Sequence, residues 1–174
     1  MSAPLGRSGV GARFDAPEAP AEDLLAARRA TAAALRALDA LPDAALALPS
    51  GRPGASHALI VAELGYGARR LACSLAALRG APDPEGMPGP DAEARGATLP
   101  PRALRHLFAH AAIHLDVEWR DLPGALWGAT LADGTRARDT PLSRARALEA
   151  GAALLDPAGR RPASASAAGA EGGA

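Results

Sequence analysis

Leu24, Leu25, Arg28, Thr31, Leu35 and Leu38 recur at helical spacing until Pro42 interrupts them, which predicts a first helix over about residues 21–41. A connector follows, punctuated by Pro49, Gly51, Pro53 and Gly54. Ser56 can then cap a second helix that reaches about Arg79 and is stopped by Gly80, Pro82 and Pro84. Its predicted buried stripe is Leu59, Ala62, Glu63, Tyr66, Arg70 and Cys73. Residues 80–100 are dense in Pro and Gly, and a loop of that length reads as either a functional lid or a disordered segment. A third helix starts at Pro101 and runs to about Trp119; a turn carrying Trp127 and a hairpin-like Ala132-Asp133-Gly134-Thr135 come next. The fourth helix begins near Pro141 and ends at Asp156-Pro157. The expected fold class is all-α, a four-helix bundle with one long crossover loop. Residues 1–20 lack periodicity and are expected to form a flexible leader, residues 157–174 a disordered tail, leaving 21–156 as the domain.

Composition sharpens this picture. Apolar residues make up 48% of 174 residues, yet aromatics are only 3%, so the core has to be built from Ala and Leu, which favour helices. Every basic side chain other than His is Arg, and Lys, Asn and Gln do not occur, a bias expected of a GC-rich bacterial genome. The 19 basic and 19 acidic residues balance, so the basic excess of a nucleic-acid binder is missing. The lone Cys73 excludes an intrachain disulfide. No apolar run approaches the roughly 20 residues of a membrane span, and the first residues contain no signal-like apolar block. The expectation is a cytoplasmic protein with no nucleic-acid and no membrane partner.

Two segments carry a family resemblance. Pro49-Ser50, Pro53-Gly54-Ala55-Ser56 and Leu59-Ile60-Val61-Ala62-Glu63-Leu64 follow the pattern P-S-x-x-P-G-W-S/T-x-x-H-V-x-A-H-L. Pro141 to Leu155 follows P-W-x-R-x-R-E-V-x-V-H-x-x-D-L, with Arg144 and Arg146 kept. In both respects the chain resembles the N-terminal domain of mycothiol-dependent maleylpyruvate isomerases, of the DinB-like superfamily. The resemblance implies a DinB-type four-helix bundle, mycothiol as cofactor, and a divalent metal held by a His on helix two and by Glu and His on helix four. Carried over by position, those ligands become Glu63, Ala147 and Gly151, and Ala and Gly have no donor atom. The resemblance therefore implies a degenerate metal site, with no metal and no cofactor expected here. It also implies that any contribution from a second, C-terminal domain is missing.

The remaining chemistry is sparse. His106, His110 and His114 recur every four residues, with Asp116 and Glu118 nearby. Each step of four drifts about 40° around a helix, so the three cannot converge on one ion. A polar stripe, a metal site rebuilt from His110 or His114 with Glu63, and a substrate or acid–base role all stay open. Glu63 is expected to point into the bundle, where Arg144, Arg146 or Arg70 would pair with it, or where it would serve as a general base. Cys73 reads as a small hydrophobe, His57 as a first-turn surface residue, and Trp119 and Trp127 as closing the bundle end.

Two functions follow. In one, the bundle is repurposed as a metal-independent enzyme, an isomerase or transferase, or as a small-molecule binding protein. Glu63, His110 and His114 would then be catalytic, and Arg144, Arg146, Tyr66 and Trp127 would bind an anionic substrate such as a dicarboxylate. In the other, it is a pseudoenzyme acting as a structural or regulatory partner of a second copy or of a paralogue.

Overall fold

The computed structural model describes residues 14–82 and 86–155. Helix α1 (Ala21–Ala40) buries Leu24, Ala27, Ala30, Ala34 and Leu38, a single stripe at helical spacing. Glu22 and Asp23 complement the positive end of its dipole in place of a side-chain cap. Its last carbonyls are answered from another element: the Arg105 guanidinium donates to Leu38 O and Leu41 O, satisfying acceptors that a helix end leaves open. The connector folds back on itself, with Ser50 N donating to Ala55 O at 2.8 Å and Gly54 in the left-handed region at φ 75°.

Helix α2 (His57–Leu78) is capped by Ser56, whose hydroxyl accepts from Leu59 N at 3.2 Å. The segment expected to be a bare loop holds one short turn of helix, α3 (Ala92–Gly96). Helix α4 (Pro101–Asp121) opens on a proline in its first turn, and α5 (Thr140–Leu155) follows two 3-10 turns. The fold is all-α, and the four long helices fall where the hydrophobic pattern places them. Helix α2 is central: it packs on α4 along one side, on α5 along another and on α3 along a third, while α1 packs on α5. Helices α1 and α4 scarcely touch. Phe108, Leu24, Leu38, Leu104, Leu115 and Leu148 are fully buried at these seams, each worth about 1.5–3 kcal/mol relative to exposure.

Three expectations need correction. The stripe Leu59, Glu63, Tyr66 and Arg70 is only half-buried; the core face of α2 is Ile60, Val61, Leu64, Ala68, Ala72 and Leu75. The stripe faces the connector and α3, which are shorter and more polar than a long helix. His57 is not a surface residue: it is 1% exposed, with Nδ1 hydrogen-bonded to Ala45 O at 2.9 Å. Residues 14–20 are not a free leader, because Asp15 pairs with Arg28 at 2.7 Å and Ala16 and Ala19 pack on the core. The expectations for residues 1–13 and 156–174 lie outside the described residues. No helix among the described residues is long and apolar enough to cross a membrane.

Candidate anion-binding site

Of Glu63, Ala147 and Gly151, only Glu63 carries a side-chain donor atom. Glu63 is held by the Arg52 guanidinium of the connector, at 2.6 and 2.8 Å to its two oxygens, and its side chain is 37% exposed. Arg52, and not Arg144, Arg146 or Arg70, is thus its partner. Ala147 supplies no donor. A Cβ at Gly151 would lie 2.7 Å from Leu64 Cδ1, so the space beyond that position is filled by a leucine. Among the described residues no group of three or more His, Cys, Asp or Glu is placed to hold a metal.

The other expected catalytic residues lie on α4. His110 is exposed and stacks on His106, ring centroids 5.8 Å apart. His114 lies 3.4 Å from Glu118, whose carboxylate is buried against Arg79 at 2.6 Å. Arg79 caps the far end of α2, 16 residues beyond Glu63 and hence about 24 Å along the helix. His114, held near that end through Glu118, therefore does not share a site with Glu63. Arg70 pairs with Glu93 of α3, and Tyr66 packs its ring edge on Gly96, so both serve to dock α3. Cys73 is buried and its thiol donates to Gly86 O at 3.5 Å. Trp127 is buried, with an indole Nε1 that has no partner among the described residues. Trp119 Nε1 donates to Thr140 Oγ1 at 3.1 Å.

Arg144 is different. It is 6% exposed, and its Nη2 has no hydrogen-bond partner among the described residues. Burial pushes its pKa down to about 10, still leaving it charged at neutral pH. An unpaired buried charge is costly, and native interiors seldom keep one without a use. Arg144 borders a cavity of about 280 Å³ between α2 and α5, with Gly67, Leu71, Thr135, Ser143 and Ala147 around it; two further charged residues line it, Asp133 and the Arg70 that pairs with Glu93. A Cβ at Gly67 would stand 3.6 Å from Arg144 Nη1, so glycine leaves that nitrogen approachable from the cavity. Arg146 does not join it. It is exposed on another side of α5, where it lines a separate cavity of about 340 Å³ with Asp23 and Asp139.

Of the residues proposed from the pattern, the structure brings Arg144 and Arg146 to cavity walls, but to different cavities, and only Arg144 is buried. Gly67 and Ser143 were missed, and an isolated glycine in a helical pattern was the one available signal for the first.

No family model matches the chain, and no curated protein matches it. Two solved structures do. A crystal structure of the mycothiol-dependent maleylpyruvate isomerase shares 30% identity, with a TM-score of 0.68 over 78% of this chain and 60% of that one. A histidine-to-alanine mutant of the same enzyme gives 30% identity and a TM-score of 0.67 with the same coverage. The chain spans about 60% of the length of these neighbours.

Proposed function

We propose that this all-α chain, similar in fold to the mycothiol-dependent maleylpyruvate isomerase, binds a small anionic molecule between α2 and α5 without a metal ion. The observation that carries this reading is Arg144, a buried guanidinium with an unpartnered Nη2 beside an open cavity. An anion bound there would supply the missing countercharge, and in a poorly solvated setting a charge-assisted hydrogen bond is stronger than in water. Gly67 gives access, Leu71 and Ala147 give an apolar wall, and Thr135 and Ser143 add hydroxyls for orientation. The neighbours are maleylpyruvate isomerases, which makes maleate the first probe.

Loss of the family metal site is part of the proposal. Its support is chemical: a carboxylate already bound by Arg52 and two positions without donors. Binding, rather than catalysis, is what the residues favour, because Glu63 and His114 lie apart.

The test is metal analysis of purified protein together with calorimetric titration of maleate in the presence of a chelator. Saturable binding by metal-free protein, lost in Gly67→Leu, is expected. Stoichiometric zinc, or binding that appears only on adding zinc, would overturn the reading.

A further inference from the structure

A second cavity, of about 400 Å³, opens between α1 and α4, on the side of the bundle where those helices scarcely touch. Its walls are mainly apolar: Leu35 from α1, and Ala112, Ile113 and Trp119 from α4. Three arginines border it. Arg28 is matched by two carboxylates, with Asp15 and Asp116 each at 2.7 Å. Arg120 is matched by Asp116 at 2.6 Å. The third is Arg144, which reaches this cavity from α5 and whose Nη2 is unpartnered among the described residues.

We infer that the α1–α4 cavity is a binding site for a monocarboxylate with an apolar body, its carboxylate on Arg144 and its body against Leu35, Ala112 and Ile113. The charge count fixes the class. One uncompensated cation suits one anionic group, and a second anionic group would meet Asp116, since the other two guanidiniums are already neutralised. The planar guanidinium fork matches a carboxylate. The apolar walls favour a hydrocarbon or aromatic body, and the volume falls within the range of small-molecule sites. Its apolar walls come from helices other than those of the α2–α5 cavity, while the anchoring cation, Arg144, is common to both. The two cavities share a single guanidinium, so their ligands compete.

Phenylacetate is the probe, phenylacetamide its uncharged counterpart, and titration calorimetry the readout. Saturable binding of phenylacetate is expected, with phenylacetamide weaker by at least about tenfold. Ala112→Phe fills the α1–α4 cavity and weakens phenylacetate by at least about tenfold. Arg144→Met abolishes binding and provides the decisive variant should Ala112→Phe fail to fold. Absence of saturable binding, equal affinity for the amide, or binding that survives Arg144→Met would overturn the inference. Undiminished binding in a folded Ala112→Phe would also overturn it, placing the ligand outside the α1–α4 cavity.

Discussion

Two glycines on the α2–α5 seam serve opposite ends. At Gly151 the missing side chain is replaced by Leu64 of the facing helix, whose Cδ1 would lie 2.7 Å from any Cβ. At Gly67 the nearest atom to such a Cβ is Arg144 Nη1, at 3.6 Å, and a cavity lies beside it. One end of the seam is closed by hydrocarbon; the other keeps a charge uncovered. The closed end coincides with a position where the family resemblance implies a metal ligand. The open end holds an arginine that the same resemblance kept. Small residues in a helix seam therefore carry no single meaning: what stands opposite decides whether glycine serves packing or access.

The comparison can be sharpened by substitution. Arg144→Met should have the largest effect on stability, raising it by roughly 2–3 kcal/mol, because an unpaired buried charge is exchanged for an apolar side chain of similar length. Chemical denaturation checks this, and a loss of stability would mean that the guanidinium has a partner of value. Gly151→Ala should lower stability by about 1 kcal/mol, since overpacking against Leu64 outweighs the better helix propensity of alanine. Gly67→Ala should do the reverse and raise stability by up to about 1 kcal/mol, its Cβ meeting only an ordinary contact. Thermal melts of the two alanine variants, run side by side, would show opposite signs if the ends differ as described; equal signs would erase the distinction.

The smallest effect concerns α3. Arg70 holds the Glu93 carboxyl below its usual range, chiefly by a side-chain hydrogen bond. A carboxyl with a lowered folded pKa stabilises above its unfolded value and loses that contribution as pH falls through the folded one. Acidification below about pH 4.5 should therefore loosen α3 from α2 before the bundle itself unfolds. The ring resonances of Tyr66, the chain's single tyrosine, report this directly through its contact with Gly96. Tyr66 signals that follow the global transition would contradict it.

The four long helices were legible because Pro42, Ser56, Gly80 and Pro101 are local signals and act within a turn or two of themselves. The phase of α2 was not. Its alanines and leucines surround the helix, so periodicity could not say which face meets a long neighbour and which meets only the connector and α3. Short α3 was hidden within a stretch rich in Pro and Gly. The partnership of Glu63 with Arg52 depends on how the connector folds back, a matter of Gly54 and the Ser50 hydrogen bonds rather than of helical spacing. Arg144 was legible as a candidate from its place in the family pattern, but its isolation was not. That its Nη2 finds no hydrogen-bond partner among the described residues is a property only the assembled bundle reveals. The separation of Glu63 and His114 likewise reflects a distance along α2 that no motif encodes.

The central claim is that Arg144 is kept uncompensated so that a ligand can neutralise it. Its most direct test is calorimetric titration of maleate into chelator-treated wild-type protein and into Arg144→Met, each shown to be folded. The account predicts saturable binding to the first and none to the second. Equal binding to both, or no binding to either, would contradict it.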